Sequence, residues 1–152
     1  MSALRVVIDT NVFVGALIGH AGHNRKVLRA CLTDHVRPVM GQALFLEFQA
    51  VLSREHIFSR SPISAREREE LLNAFLSVCD WVEIYYSWRP NLSDEGDNHV
   101  MELAVAGGVS AIVTNNVSDL RGGELVFNEI PVMTPIEFLQ SLLGESSGGR
   151  KP

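Results

Sequence analysis

Apolar residues along this chain follow two patterns that alternate from one end to the other. Short apolar runs rich in β-branched residues are typical of buried strands, and longer stretches with apolar residues three and four positions apart are typical of helices. The predicted strands are residues 6–8, 36–40, 81–86, 111–114 and 131–133. The predicted helices are 12–18, 23–34, 42–54, one that begins after Ser64 and includes Cys79, one that opens at 94–98 and ends at 106–108, and a short one at 135–143.

This alternation predicts an α/β fold. Parallel strands joined by helices form a mostly parallel sheet that is covered on both faces, and such crossovers are right-handed. The sequence has no internal repeat and no sign of a second domain, so we expect one domain at residues 1–143. Residues 144–152 contain no core-forming side chain, and we expect a disordered tail there. Ser64-Ala65-Arg66-Glu67 and Thr134-Pro135-Ile136-Glu137 have the spacing of capping boxes and predict two helix starts.

Composition narrows the class of protein. A chain of 152 residues with 46% hydrophobic content suits one globular domain. Its net charge of −5 argues against a protein that coats nucleic acid, although it allows a nucleic-acid enzyme whose acids bind metal ions. Cys31 and Cys79 lie on apolar helical stripes without metal-ligand spacing, so we expect core thiols in a reducing compartment. The sequence shows no signal region and no long apolar span, and we expect a cytoplasmic protein without membrane contact.

Candidate chemistry begins at Asp9. An acid, a hydroxyl and an amide (Asp9, Thr10, Asn11) follow the first strand directly, and the carboxyl edge of an open α/β sheet is where ligands bind. The alternative is that one of the three only caps the next helix. Glu47 shares an apolar helix face with Leu44, which is costly for a carboxylate unless it is paired or bound to a cation. For Glu47 the alternative is a buried salt bridge to Arg54 or Arg5.

Four acids share this structural context: Asp9, Glu47, Asp97 and Asp119. If they converge at the carboxyl edge, each close pair repels by about 4 kcal/mol at an effective dielectric of about 20, so protons or divalent cations must neutralise them. All-oxygen ligands suit Mg²⁺ or Mn²⁺, and the five histidines show no paired zinc spacing. Two such ions can activate water and stabilise a pentacoordinate phosphate, which makes phosphodiester hydrolysis the natural reaction.

Val7-Ile8-Asp9-Thr10-Asn11-Val12 resembles the opening motif of PIN-domain nucleases. The segment from Asp97-Asn98 through Gly107-Gly108 to residues 111–116 resembles that family's third-acid segment and following strand. The similarity extends from about residue 4 to residue 143. It implies a three-layer α/β/α sandwich around about five strands, with Mg²⁺- or Mn²⁺-dependent ribonuclease activity. The ending at residues 132–139 resembles the toxin (VapC-like) branch, whose members are held inactive by an antitoxin partner.

The resemblance also assigns residues. The family's first acid falls on Asp9, its helical acid on Glu47 and its third on Asp97. Many members carry a fourth acid where this chain has Asn116, and Asp119 is the expected substitute, so the second metal position depends on Asp119. Asn11, Thr114 and Asn116 are expected to lie beside the acids, where Asn11 and Thr114 would orient Asp9 and the adjacent loop by hydrogen bonds. Capping and turn formation are the alternative roles for Asn11 and Thr114, and Asp94 is an alternative cap for the helix that Asp97 begins.

The residues predict metal-dependent phosphodiester hydrolysis. The resemblance implies that the enzyme is an endoribonuclease, the toxin of a toxin–antitoxin pair, with RNA as substrate and a homodimer as the expected assembly. Candidates for RNA contacts are Arg25, Arg29, Arg89 and Arg121. The main alternative is a catalytically impaired PIN-like scaffold that binds RNA or protein. A phosphoaspartate enzyme is disfavoured because Asn11 stands where a second acid would be needed, and dinucleotide binding because no glycine-rich turn follows the first strand.

Overall fold

The computed structural model describes residues 4–19, 22–84, 98–118 and 130–148. Five strands and six α-helices lie within these ranges, together with a short 3₁₀ helix at Glu55–Phe58. The strands are β1 (Leu4–Ile8), β2 (Val36–Met40), β3 (Asp80–Trp81), β4 (Ala111–Val113) and β5 (Val132–Met133). The α-helices are α1 (Thr10–Ile18), α2 (Gly22–Leu32), α3 (Gln42–Leu52), α4 (Ala65–Val78), α5 (Asn98–Gly107) and α6 (Pro135–Gly148).

All five strands are parallel and lie in the order β3-β2-β1-β4-β5. The chain moves outward from β1 through β2 to β3, and then returns across the sheet to β4 and β5. Because right-handed crossovers in opposite directions cover opposite faces, the sheet is enclosed between two helical layers. The predicted three-layer α/β/α sandwich is confirmed. Its strand order reverses between β1 and β4, at the centre of the sheet.

The core occupies both faces of the central strand. Val6, Val7 and Ile8 of β1 are all buried, as expected for a strand covered on two sides. Among the helices, the rings of Phe13, Phe48 and Phe75 lie 5.4–5.7 Å apart and join α1, α3 and α4. Each buried phenylalanine contributes about 1.5–3 kcal/mol of hydrophobic stabilisation. Contacts with α3 and α4 therefore fix the start of α1, directly after β1.

Both predicted capping boxes are confirmed. Ser64 Oγ accepts from Glu67 N at 3.1 Å and Glu67 Oε1 accepts from Ser64 N at 2.8 Å. Thr134 and Glu137 form the same reciprocal pair at 3.1 and 2.9 Å. Cys31 and Cys79 are buried free thiols, as predicted, and burial raises the pKa of each to about 12. In the described ranges, no helix combines the length and apolar character that crossing a bilayer requires.

Some boundaries differ from the prediction. β3 ends at Trp81 rather than at residue 86, because Met40 is the last residue of β2 and its carbonyl accepts the final bond, from Val82 N at 2.8 Å. Residues 85 and 86 lie outside the described ranges, as does the predicted helix opening at 94–97. α6 continues to Gly148, past the predicted start of the tail at Gly144, because extending an existing helix is much easier than starting one.

Candidate active site

The carboxyl ends of β1 and β4 bring two polar side chains together. Ile8 and Val113 are register partners on these neighbouring strands, and Asp9 and Thr114 are the residues that directly follow them. Asp9 N donates to Val113 O at 3.0 Å, so the pairing extends one step beyond β1. This is the point where the strand order reverses, and crevices at such points are the usual ligand sites of open α/β sheets.

Asp9 is a buried carboxylate, with 6% of the residue exposed. Its Oδ1 accepts from Thr10 N at 2.8 Å, and its Oδ2 accepts from Thr114 Oγ1 at 2.9 Å and from Asn11 Nδ2 at 3.4 Å. Burial raises the pKa of Asp9, and the Glu47 charge raises it further, against the lowering effect of the Thr114 and Thr10 hydrogen bonds. Asp9 is also the N-cap of α1, so the capping alternative describes the same side chain and excludes no other role.

The Thr114 hydroxyl can donate its proton to only one acceptor among its described contacts, the Asp9 carboxylate. Its Oγ1 accepts from Asn11 Nδ2 and from Asn116 N, both at 3.0 Å. Two accepted bonds occupy both lone pairs of a hydroxyl oxygen, so its single proton goes to Asp9. Thr114 is itself fully buried. The Asp9 carboxylate is therefore oriented by a donor that its own neighbours hold in place.

A chain of amides extends this arrangement to α2. Asn11 Oδ1 accepts from Asn115 N at 2.9 Å, which fixes the orientation of the Asn11 amide. Asn115 Nδ2 in turn donates to Asn24 Oδ1 at 3.2 Å. Asn24 is buried, and a Cβ at position 15 would lie 2.2 Å from its Nδ2. Gly15 is therefore required for α2 to approach α1 closely enough to support the loop after β4.

Thr10 connects Asp9 to the second carboxylate. Its backbone N–H bonds to Asp9, and its hydroxyl donates to Glu47 Oε2 at 3.0 Å. Glu47 comes from α3, 37 residues further along the chain. One residue thus fixes the relative positions of two acids from different elements.

Glu47 has a second partner in His99 of α5, whose Nε2 lies 2.6 Å from Glu47 Oε1. The hydrogen bond with His99 lowers the pKa of Glu47, against the effect of partial burial, and the Thr10 hydroxyl lowers it further. The predicted alternative of a salt bridge to Arg54 or Arg5 is wrong. Arg54 contributes only a small charge effect, and Arg5 bonds to Asp80 on the edge strand β3, two strands from β1.

Some of the remaining predicted residues lie outside the described ranges and others lie within them. Asp97, Asp119, Arg89 and Arg121 lie outside the described residues. Asn116 contributes its backbone N–H to Thr114. Arg25 and Arg29 line an apolar groove between α1, α2 and α4, and Arg25 Nε donates to Ala16 O at 2.9 Å.

The donor chemistry of Asp9 and Glu47 suits a hard divalent cation. Both are carboxylates, and their oxygens retain lone pairs beyond the bonds described. Among the described residues, no three side chains of His, Cys, Asp or Glu are grouped to hold a metal ion, so this pair would need further ligands. Asp97 and Asp119 are the predicted ones.

Sequence reasoning missed four members of this network: Thr10 as a bridge, His99, Asn115 and Asn24. Thr10 adjoins Asp9, and His99 stands two positions after Asp97, so proximity to predicted acids was an available signal for both. Asn24 lies in a helix 91 residues before its partner Asn115, and no local pattern indicates that contact.

Two solved structures have a similar fold. The crystal structure of VapBC2 from Rickettsia felis bound to a DNA fragment from their promoter matches with a TM-score of 0.57 and 16% identity, over 86% of this chain and 98% of that chain. PAE2754 from Pyrobaculum aerophilum matches with a TM-score of 0.56 and 14% identity, over 93% and 90%. A search of curated protein sequences finds no match.

The sequence itself matches a family model. Residues 5–118 of the 152 match the model described as PIN domain. The matched segment includes Asp9, Glu47 and Thr114, whose contacts form the centre described above. The chain therefore belongs to the PIN-domain family.

Proposed function

We propose that this protein is a divalent-metal-dependent endoribonuclease and the toxin of a toxin–antitoxin pair. The observation that carries the proposal is the burial of the Asp9 carboxylate without a positively charged hydrogen-bond donor among the described residues. Its carboxylate is buried where the strand order reverses, and all the hydrogen-bond donors that the described residues give it are neutral. Burial raises the pKa of Asp9 by disfavouring its charged form, and a cation bound beside it would favour that form.

The residues of this centre would divide the work of holding and orienting. Asp9 and Glu47, with Asp97 and Asp119, would hold Mg²⁺ or Mn²⁺, which supplies charge neutralisation at the phosphate and activation of water for its attack. Thr114 and Asn11 would keep the Asp9 oxygens in one orientation, and Thr10 and His99 would do the same for Glu47. Fixed ligands avoid reorganisation during the reaction, and such supporting contacts are typically worth 10–100-fold in metal affinity or activity.

A second candidate function follows from Asn116. This residue stands where many PIN-like sequences resembled by this chain carry a fourth acid, so the second metal position depends on Asp119. If Asp119 does not supply this ligand, the chain would be a catalytically impaired scaffold that binds RNA or protein. Metal binding and RNA cleavage distinguish the two functions.

The test is cleavage of single-stranded and structured RNA by purified protein with Mn²⁺, Mg²⁺ or EDTA. Asp9→Asn and Asp97→Asn remove proposed ligands, and Asp80→Asn makes the same chemical change at a carboxylate that is paired with Arg5 and Arg37. We expect metal-dependent cleavage by the wild type and by Asp80→Asn, and none by the other two. Equal inactivity of all four folded proteins on every RNA would contradict the nuclease and favour the scaffold.

The toxin role has its own test. The similar VapBC2 structure suggests an antitoxin protein as partner, and we propose that such a partner suppresses cleavage by a homodimeric, cytoplasmic enzyme. Expression of the chain alone should arrest bacterial growth, and expression with its partner should restore it. Growth arrest by Asp9→Asn equal to that by the wild type would contradict a toxicity that depends on cleavage.

A further inference from the structure

A cleft of about 700 Å³ opens beside the candidate active site, in the size range of ligand sites. His99 belongs to both, because it lines the cleft and bonds to Glu47. The other lining residues come from the start of α3, the end of β3 with the residues after it, and α5: Gln42, Ala43, Phe45, Leu46, Trp81, Val82, Glu83, Ile84 and Glu102. The cleft is therefore continuous with the proposed catalytic centre.

An exposed aromatic ring forms one side of the cleft. Trp81 ends β3 at the carboxyl edge of the sheet and is 53% exposed. Phe45 contacts it edge to face, with ring centroids 5.6 Å apart at 66°, which fixes the indole orientation. Leu46 and Ile84 are exposed beside them. A rigid, half-exposed indole of this kind is a surface on which a planar ring can stack.

The polar groups of the cleft suit one part of a nucleotide, its base. Among the described residues, the lining includes the carboxylates of Glu83 and Glu102 and the amide of Gln42, and it includes no lysine or arginine. A neutral nucleobase with an exocyclic amino group offers N–H donors to carboxylate oxygens, as cytosine does to Glu or Asp.

We propose that this cleft is a nucleobase subsite, in which one unpaired base of the RNA stacks on Trp81 while the scissile phosphate lies at Asp9 and Glu47. This inference rests on the proposed ribonuclease function and adds a specificity to it. Cleavage would require single-stranded RNA at this position, since a paired base cannot enter the cleft. Bases with an amino group would be preferred over uracil, because Glu83 accepts their N–H donors.

The test combines Trp81 variants with RNA that lacks one base. Wild type, Trp81→Ala and Trp81→Phe are compared on a cleaved oligonucleotide and on copies with a single abasic site at each position near the cut. Stacking is worth about 1–3 kcal/mol per base, so one abasic position should raise the wild-type KM by about 5- to 150-fold. That penalty should vanish in Trp81→Ala and persist in Trp81→Phe. Glu83→Gln should reduce the preference for amino-bearing bases at the same position.

Three results would overturn the subsite. The first is an unchanged KM in Trp81→Ala. The second is a rise in KM on going from the wild type to Trp81→Ala that is equally large on intact and on abasic RNA. The third is conversion of a dimer to a monomer by Trp81→Ala in sedimentation, which would assign the cleft to a second copy of the chain.

Failure of the nuclease itself is distinguishable from failure of the subsite. If the wild type cleaves no RNA, single-stranded cytidine and uridine oligonucleotides are titrated into Trp88→Phe protein, in which Trp81 is the only tryptophan. Quenching of its fluorescence, stronger with cytidine, would support base binding without catalysis. Absence of quenching would reject the subsite.

Discussion

Two regions of the parallel sheet each hold a carboxylate, and its charge is handled differently in each. On the edge strand β3, Asp80 bonds to two guanidinium groups, Arg5 at 3.3 Å and Arg37 at 3.0 Å. At the carboxyl end, Asp9 is buried and receives hydrogen bonds only from neutral donors among the described residues. The first arrangement neutralises a charge within the protein. The second leaves the carboxylate charge without a positively charged hydrogen-bond donor among the described residues, and this is the basis for proposing a cation there.

The two arginines also show what Asp80 does. Arg5 and Arg37 are register partners on neighbouring strands, so two like charges stand side by side. Asp80 bonds to both, and it raises the pKa of Arg37 by its hydrogen bond and its charge. Its contacts join β1, β2 and β3. Asp80 balances these charges within the protein. Asp80 is therefore the natural control for every change made at Asp9.

The largest expected effect separates these two acids by activity. Asp9→Asn keeps the size of the side chain but removes a proposed ligand charge, so we expect RNA cleavage to fall by at least about a hundredfold. Asp80→Asn should change cleavage by less than about twofold, because its carboxylate is bonded to Arg5 and Arg37 and is not a proposed metal ligand. Rates at saturating Mn²⁺ measure both. Comparable losses in the two variants would remove the distinction between the two carboxylates.

A smaller effect is expected from the donor that orients Asp9. Thr114→Val keeps the shape of the side chain but removes the proton that Asp9 accepts, so we expect a loss of roughly 10–100-fold in Mn²⁺ affinity or activity. Thr114→Ser retains the hydroxyl and should recover most of this loss. Mn²⁺ titrations of the cleavage rate give both values. Equal behaviour of the valine and serine variants would contradict the orienting role.

His99 allows the same comparison at Glu47. His99→Leu removes the group 2.6 Å from Glu47 Oε1, and we expect the Mn²⁺ concentration for half-maximal cleavage to rise by about tenfold. Gln carries an amide nitrogen at a similar distance from the backbone, so His99→Gln should stay within about threefold of the wild type. If Gln fails as completely as Leu while both proteins remain folded, His99 does more than position Glu47.

Stability should change in a different way at the two carboxylates. In metal-free protein at pH 7, Asp80→Asn removes partly exposed ion pairs, and we expect the Tm to fall by roughly 2–4 °C. Thermal unfolding followed by circular dichroism measures it. An unchanged Tm would mean that the two arginines are tolerated without their carboxylate.

The pH dependence at Asp9 has a defined sign. Because the folded pKa of Asp9 is raised above 3.8, the folded protein holds this proton more tightly than the unfolded chain does. Its contribution to stability is complete below about pH 3.8 and is lost as the pH rises through the folded pKa. The free energy of unfolding of the wild type minus that of Asp9→Asn should therefore fall as the pH rises. Urea titrations between pH 4 and pH 8 measure it, and a rising difference would contradict the raised pKa.

The fold was largely predictable from local pattern. The apolar runs at 36–40 and 111–114 and the two capping boxes gave the elements and their order, because burial and capping are local properties of a sequence. The short length of β3 was not predictable in this way. It depends on where β2 ends, and that partner is about 40 residues distant in the chain.

The site was predictable only in part. Asp9 and Thr114 each follow an apolar strand, and adjacent strands bring such residues together. The partner of Glu47 depended on how α5 packs beside α3, so the sequence suggested arginine where the structure has His99. A salt bridge with a named partner is a property of packing, and a charged residue on an apolar face indicates only that some partner is needed.

The most direct test of the central claim is Mn²⁺ binding by calorimetry to wild type, Asp9→Asn and Asp80→Asn, without RNA. If the carboxyl end of the sheet is built to bind a cation, the wild type and Asp80→Asn will bind Mn²⁺ with the same affinity, and Asp9→Asn will lose binding. Equal Mn²⁺ binding by all three proteins would show that Asp9 is not a ligand and would contradict the account.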